Sequence, residues 1–367
     1  MLTKDGGKTA GSALNESRRV AQQPTRQPSI KDIARLAHVS HPTVSRALQN
    51  SPLVNPATAE RIRKIARDAG YRASAVARGL VMRRTKTIGL VVTTVDDPFA
   101  SAVTCGVEQV ANEHGYAIFL ANSNIDPERE RRMVQDLAER RVDGIIVTSS
   151  RVGSAYLPML ADLNIPMVLV NDQFPGRFVH SVMIANQVGS RLAVEHLIQL
   201  GHRRIAYISD RFGYESNADR LLGYREALAA AKIESRGELI VDGDSSPETA
   251  VIVAKQLIAL PEPPTAICCY NDMTALGAIR GIHARGLRVP EDVSVTGFDD
   301  LFFSAYLEPP LTTIRQPMRR MGETAMENLF QLMSGEEATA QVKVTPELIV
   351  RKSTAIAKEH GTEHSNG

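Results

Sequence analysis

Cysteine is scarce in this chain of 367 residues: there are three, Cys105 and the adjacent Cys268 and Cys269. Three thiols in that arrangement make neither a disulfide framework nor a C-x-x-C redox or metal motif, so a reducing cytoplasm is the expected compartment. Cys268 and Cys269 sit in an apolar, strand-like run and read as buried, inert thiols. Also missing is any apolar run of about 18 residues or more, the length a membrane-spanning helix needs. The first 27 residues carry Lys4, Lys8, Arg18 and Arg19 on a polar background with no apolar centre. That excludes a signal peptide and a lipid-facing anchor, and predicts a disordered extension. The nine histidines show no metal-ligand spacing, and the pair in E-H-G-T-E-H lies in a polar tail. No G-x-G-x-x-G follows a strand, and neither G-x-S-x-G nor G-x-x-x-x-G-K occurs, so phosphate cradles and nucleophile elbows are absent. The expectation is a protein that is not an enzyme and holds no cofactor and no metal.

What is present is charge, unevenly placed. The formal net charge is +2, but the total conceals a division. Residues 25–86 hold 13 Lys and Arg against 3 Asp and Glu, and residues 87–367 hold 26 against 36. A basic segment of that density attracts nucleic acid through its phosphates, with a steep salt dependence. The acidic remainder repels DNA and must serve another purpose. At 367 residues, two or three domains are expected.

Within the basic segment the octet V-S-H-P-T-V-S-R, Val39 to Arg46, has the signals of a helix start. Ser40 is the N-cap, its hydroxyl accepting an orphan backbone N–H. Pro42 falls in the first turn, where its missing N–H costs nothing. Thr43, Ser45 and Arg46 project polar groups, while Val44 and Leu48 share an inward face. Upstream, Ser29 to Asp32 resembles a capping box, opening a helix with an apolar stripe of Ile33, Leu36 and Ala37. Downstream, Asn55-Pro56 starts a third helix that carries Ile62, Ile65, Ala66 and Ala69 inward and stops at Gly70. Three short helices with a tight turn at Val39 describe a helix-turn-helix unit.

After a further helical stretch from Ser74 to Leu80, the pattern changes at Thr87. Apolar strands now alternate with amphipathic helices: Ile88 to Thr93, Ala117 to Ala121, Gly144 to Thr148 and Met167 to Asn171. The intervening helices run through Val103, Val107 and Val110, from Pro127 to Arg141, and from Leu157 to Leu163. The rhythm restarts with a helix through Leu192 and Leu197, then strands at Ile205 to Ser209, Leu239 to Val241, Ala266 to Tyr270 and Val293 to Phe298. Helices at Asp219 to Lys232 and Asp272 to Arg285 lie among them. This is the signature of two α/β lobes, each a doubly wound parallel sheet, with a cleft beyond the carboxyl ends of the strands.

Taken together, these residues resemble the lac/gal repressor family of bacterial transcriptional regulators. The resemblance covers roughly Pro28 to Thr354. It rests on I-K-D-I-A-R-L-A-H-V-S-H-P-T-V-S-R-A-L, G-Y-R-A-S-A-V-A-R-G-L, I-G-L-V, E-H-L-I-Q-L-G-H-R-R-I-A, D-R-L-L-G-Y, N-D-M-T-A-L-G-A, V-T-G-F-D-D and P-P-L-T-T-I-R-Q-P. It implies an all-α helix-turn-helix domain at 28–72, a hinge helix and linker at 73–86, and a periplasmic-binding-protein-like domain of two lobes at 87–354. A disordered extension at 1–27 and a disordered tail at 355–367 flank them. Carried over, Ser40 caps the recognition helix, and His41, Pro42, Thr43 and Arg46 face the major groove. Arg46 reads a guanine edge, and His41 contacts a base or phosphate. Pro42 stands where some members carry a base-reading polar residue, so van der Waals contact is the most it offers. Ala77 and Leu80 align with hinge residues that face the minor groove, Leu80 acting as an apolar wedge.

The resemblance also implies an effector site at the strand ends, with Arg220 gripping the ligand and Asn271 and Asp299 as polar contacts. Asp272 and Asp300 read as cap or loop residues. Phe99, just after Asp97, either stacks on a sugar face or caps the core. Asp172, Phe174 and Phe212 also follow strands. Ser245 and Met318 replace aromatic side chains found in some members. The implied partners are pseudo-palindromic operator DNA, a small effector of carbohydrate type and a second copy of the chain, with no membrane. The tail after Thr354 lacks leucine heptads, which predicts a dimer without a tail-made tetramer. The competing class is a solute-binding protein of a transport system, which has the same two-lobe core. The basic helix-turn-helix and the absent export signal argue against it.

Overall fold

A computed structural model of the chain describes residues 28–71, 84–152, 156, 158–159, 163, 165–172 and 180–358. The chain divides into two compact units, Met1–Arg83 and Arg84–Gly367. In the first unit, helices α1 (Ile30–Leu36), α2 (His41–Leu48) and α3 (Pro56–Asp68) form a small bundle. The Ser29 capping box closes as expected: the Ser29 backbone N–H donates to Asp32 at 2.9 Å, and the Ser29 side chain accepts from the Asp32 backbone. Asn55 caps α3 with Pro56 at its first position. Gly70 ends α3 in the left-handed region at φ +66°. The core is Ile33, Ala34, Ala37, Val44, Ala47, Val54, Ala59, Ile62 and Ala66. Leu36 is a correction to the expected stripe. It is 56% exposed, because α1 turns the side that carries Ile33, Ala34 and Ala37 inward and leaves Leu36 on its flank.

The second unit contains two six-stranded sheets. Lobe 1 holds β1 (Thr87–Val92), β2 (Ala117–Asn122), β3 (Gly144–Thr148), β4 (Met167–Val170) and β5 (Ser181–Ile184). Its sixth strand is β11 (Gln341–Val344), which pairs in parallel with β5. Lobe 2 holds β6 (Ile205–Asp210), β7 (Ile240–Gly243), β8 (Ala266–Cys269), β9 (Ser294–Asp299) and β10 (Thr312–Arg315), closed by the antiparallel β12 (Glu347–Ile349). The sheet orders are β11-β5-β4-β3-β1-β2 and β12-β10-β9-β8-β6-β7. The helices of this unit are α4 (Pro98–Glu113), α5 (Pro127–Glu139), α6 (Asn186–Gln199), α7 (Glu215–Ala230), α8 (Pro247–Ile258), α9 (Asp272–His283) and α10 (Met318–Ser334).

Two lobes of parallel sheet match the expectation, but they are not consecutive. The chain passes between lobes three times: between β5 and α6, between β10 and α10, and between β11 and β12. Helix α10 follows a lobe 2 strand yet packs on α4 in lobe 1. Periodicity locates elements but carries no record of which sheet an element joins, and β5, β10, β11 and β12, three or four residues long, are too short to stand out. The helix expected at 157–163 lies largely outside the described residues, as does the segment from Ser74 to Leu80.

Three helix pairs approach backbone to backbone: α4 with α10, α6 with α7, and α8 with α9. Glycine makes this possible. A Cβ on Gly106 would collide with the Arg319 carbonyl, one on Gly322 with that of Val103, one on Gly223 with that of Gln187, and one on Gly277 with that of Pro247. The expected disordered tail is ordered over its described part, 355–358, where it is tied to lobe 2 by Ala357 N–H donating to the Leu200 carbonyl and by His202, which is buried. Its ring bonds to Thr265 Oγ1 at 2.9 Å, Ser294 Oγ at 3.1 Å and the Ala355 carbonyl at 3.0 Å.

Two outcomes follow from this packing. Gly322→Ala lowers stability by about 1–3 kcal/mol through overpacking, while Gly237→Ala, which meets open space, stays within roughly 0.5 kcal/mol; urea unfolding separates them. Burial depresses the His202 pKa below the ordinary 6.5, so the stability it represents is present above that value and is lost as pH falls through the depressed one. Thermal midpoints measured from pH 7 down to pH 5 should therefore fall less steeply in His202→Gln than in the parent.

Candidate functional site

The basic unit presents one polar face. Ser40 Oγ bonds to Thr43 Oγ1 at 2.8 Å and accepts the Thr43 N–H at 3.4 Å, so these two side chains fix the start of α2. His41, Pro42 and Arg46 are exposed, Thr43 is half-buried, and Val44 and Ala47 are buried beneath them. Among the described residues no carboxylate pairs with Arg46, Arg61 or Lys64. Arg35 is paired with Asp32, and Arg63 and Arg67 with Glu60. The unpaired cations are therefore those available to an external anion. Ala77 and Leu80 lie outside the described residues.

In the second unit a cleft of about 410 Å³ opens between the lobes at the carboxyl ends of β1, β6, β8 and β9. Phe99, Arg220, Asn271 and Asp299 all line it. Phe212 and Ser245 do too, whereas Asp172 and Met318 line other hollows, and Phe174 lies outside the described residues.

Arg220, near the start of α7, is 3% exposed. Its guanidinium lies 3.6 Å from the Phe298 ring centroid and 4.6 Å from that of Tyr270. Nε donates to Asn186 Oδ1 at 2.9 Å and Nη1 to the Tyr270 carbonyl at 2.6 Å, while Nη2 stands 3.9 Å from Asp299 Oδ1. This is a cation held by two rings and two acceptors, with one edge left toward the cleft.

Asp299 ends β9 at φ +126° and is buried. Gln316 Nε2 donates to its Oδ1 at 2.5 Å. Burial pushes the Asp299 carboxyl well above the usual carboxylate range; Arg220 pulls the other way, and the charges of Asp272 and Asp97 add to the rise. Asp97 caps α4, with Oδ1 accepting the Phe99 N–H at 2.9 Å, and burial raises its pKa also. Phe99 belongs to the core, the second of the two roles expected of it, and its ring also lines the cleft.

Asn271 is the N-cap of α9, its Oδ1 accepting from Thr274 N and Oγ1, each at 2.8 Å. Asp272 is not the cap: it is fully buried and accepts from Leu301 N, Ser304 Oγ and Thr313 Oγ1, so it joins three segments of lobe 2. Asp300 sits in a loop as expected but is engaged by Arg315 and Arg351.

Sequence reasoning passed over Tyr214, Asp244, Ser246, Tyr270 and Gln316, all cleft residues. Only Gln316 carried a usable signal, being inside the quoted T-T-I-R-Q-P. The lobes also touch across the cleft. Arg151 of lobe 1 donates Nη2 to the Phe212 carbonyl of lobe 2 at 2.8 Å, and its guanidinium lies 5.2 Å from the Tyr214 ring centroid. A buried carboxylate positions that arm. Glu130 accepts from Ser150 Oγ and Tyr156 OH, each at 2.5 Å, and from the Arg151 N–H at 3.4 Å. Among the described residues, no group of three or more His, Cys, Asp or Glu side chains is placed to hold a metal ion.

Comparison with known proteins agrees with both halves. The profile of bacterial regulatory proteins of the lacI family matches residues 29–74, and that of a periplasmic binding protein-like domain matches residues 194–354. The HTH-type transcriptional repressor PurR of Vibrio atlanticus (strain LGP32) is 37% identical over 327 residues, spanning 89% of this chain and 98% of its own. Among solved structures, the lac repressor dimer bound to operator and the anti-inducer ONPF aligns with a TM-score of 0.83 at 28% identity, covering 90% of this chain and 100% of that one. A complex of the transcriptional regulator CelR with cellobiose aligns at 0.68 with 32% identity, covering 89% and 99%. The transport alternative falls, because the shared sequence includes the DNA-binding unit as well as the lobes. The chain belongs to the lacI family of bacterial regulatory proteins, transcription regulators that join a helix-turn-helix to a two-lobe, periplasmic-binding-protein-like domain.

Proposed function

We propose that this protein is a repressor that binds a pseudo-palindromic operator as a homodimer and releases or tightens its hold when a small effector enters the cleft. The observation that carries the DNA half is the exposed face of α2, with no carboxylate on Arg46 among the described residues of a strongly basic unit. Ser40 and Thr43 set the helix start, His41 and Arg46 reach base edges or phosphates, and Pro42 contributes contact only. Ala77 and Leu80 enter the minor groove as a wedge. Residues 28–72 form the reading unit, 73–86 the linker and 87–354 the sensing and dimerising domain. No enzymatic step forms part of this reading.

For the sensing half, Phe99 packs on the effector's apolar face, Arg220 and Asn271 donate, and Asp299 accepts. An effector that binds one lobe arrangement better than the other shifts the population between them. A differential affinity of about 5.5 kcal/mol suffices for a nearly complete switch. The Arg151 arm favours the closed arrangement, since its bond to the Phe212 carbonyl exists only when the lobes meet.

Two measurements test these roles. With an operator selected from randomised duplexes, Arg46→Ala weakens binding about 10- to 100-fold and relaxes base preference at one position in each half-site. Lys64→Ala instead weakens all sequences alike and reduces the salt slope by about one. Unchanged base preference in Arg46→Ala would sink the assignment. In hydrogen–deuterium exchange, Arg151→Ala should speed exchange of the amides at 212–216 by about tenfold, the effect of losing roughly 1.4 kcal/mol of local protection. Equal rates would mean that the arm does not hold that loop.

A further inference from the structure

The exposed face of α2 bears on how one base pair of the operator is read. We propose that Pro42 reads the C5 methyl of a thymine in the major groove, so that each half-site carries an A·T pair of fixed orientation opposite it. This rests on the reading of α2 as the recognition helix.

Val44 and Ala47 are buried on one side of α2, whereas Pro42 and Arg46 are exposed. Four residues apart, Pro42 and Arg46 share one face of the helix, turned away from Val44 and Ala47. In a helix-turn-helix the N-terminal residues of the second helix meet base edges, and Pro42 is the second residue of α2. Its ring carries no donor and no acceptor, and its backbone nitrogen carries no hydrogen. The neighbouring polar groups are already engaged. Thr43 Oγ1 bonds to Ser40 Oγ at 2.8 Å, and the same Ser40 oxygen accepts the Thr43 N–H at 3.4 Å. The start of α2 therefore presents an apolar ring to the base edges one turn before Arg46.

An apolar ring laid on a base edge displaces water and returns no hydrogen bond, so a donor or acceptor beneath it is left unsatisfied. Guanine offers two acceptors in the major groove, cytosine an amino donor, and adenine an acceptor beside an amino donor. Thymine alone offers an apolar group, its C5 methyl beside O4. Ring against methyl buries apolar surface on both sides, and the gain from one buried carbon is a factor of about four in affinity. Two half-sites then give roughly fifteenfold. Four residues of α2 span about 6 Å, and successive base pairs rise by about 3.4 Å. The thymine therefore lies within about two base pairs of the one that Arg46 reads.

The test uses the full chain and an operator selected from randomised duplexes, with affinities measured at one salt concentration. Selection repeated with Pro42→Ser locates the base pair at which preference relaxes, and the parent should hold thymine there. Replacing both thymines by deoxyuridine removes only the methyls, and should weaken the parent roughly fifteenfold but Pro42→Ser by less than about twofold. That difference closes a cycle which assigns the methyl to Pro42. Cytosine at the same place should weaken the parent, and 5-methylcytosine should recover about fourfold per half-site. Equal deoxyuridine losses in parent and Pro42→Ser, or a preferred base other than thymine, overturn the proposal. If Pro42→Ser has lost even non-specific binding, the deoxyuridine and 5-methylcytosine series on the parent decides alone, and indifference to the methyl overturns it. Base preference left unchanged at every position by Arg46→Ala instead removes α2 as the reading helix, which is the failure of the underlying reading.

Discussion

A buried guanidinium holds the sensing domain in register. Arg220 is clamped between two aromatic rings, and its three nitrogens address Asn186, Tyr270 and Asp299. Those partners are placed where the chain changes lobe. Asn186 is the first residue of α6, just past the crossing from β5, and Asp299 is bonded to Gln316, which immediately precedes the crossing into α10. One charged group in the cleft wall therefore reaches two of the three strands of chain that join the lobes. Breaking a buried network of this kind leaves desolvated groups without partners, so it switches between discrete arrangements more readily than it deforms.

The family and its two-domain plan were legible in the sequence because each rests on local chemistry. Caps at Ser29, Ser40 and Asn55 are decided by side chains within three residues of the backbone groups they satisfy, and all three stand where expected. The cleft was legible at residues embedded in recognisable motifs, Arg220, Asn271 and Asp299, and at Phe99 and Phe212, found by their place after a strand. Tyr214 and Asp244 could not be read in the same way. They follow strands in loops without a motif, and the separation of β6 from β7 in sequence hides their meeting in space. The crossing of α10 and β11 back into lobe 1 was likewise invisible, since an amphipathic pattern states that a face is buried but not against which sheet. Leu36 shows the converse limit: helical spacing placed it inward, but the buried side of α1 is centred on Ile33, Ala34 and Ala37, which leaves Leu36 on the flank.

Charge separates the two units as clearly as their folds do. The basic N-terminal unit and the acidic remainder nearly cancel in the whole chain, so net charge alone gives no hint of a nucleic-acid partner. The division has a physical use. Phosphates attract the reading unit, and the same field repels the sensing domain from the duplex, which biases the protein to approach DNA by one end.

The interleaved path of the second unit also sets an order of events in biosynthesis. Strands β1 to β5 leave the ribosome first, yet their sheet lacks its edge strand β11 and its covering helix α10 until all of lobe 2 has been made. Until then the face later covered by α10, which shares a core with Val168, Val170 and Ile146, has only α4 to cover it. Lobe 2 can close most of its sheet earlier, needing only the short β12 afterward. The lobe translated first is thus the one completed last, and a truncated chain ending before Met318 would expose an apolar sheet face during which chaperone capture or aggregation competes with folding.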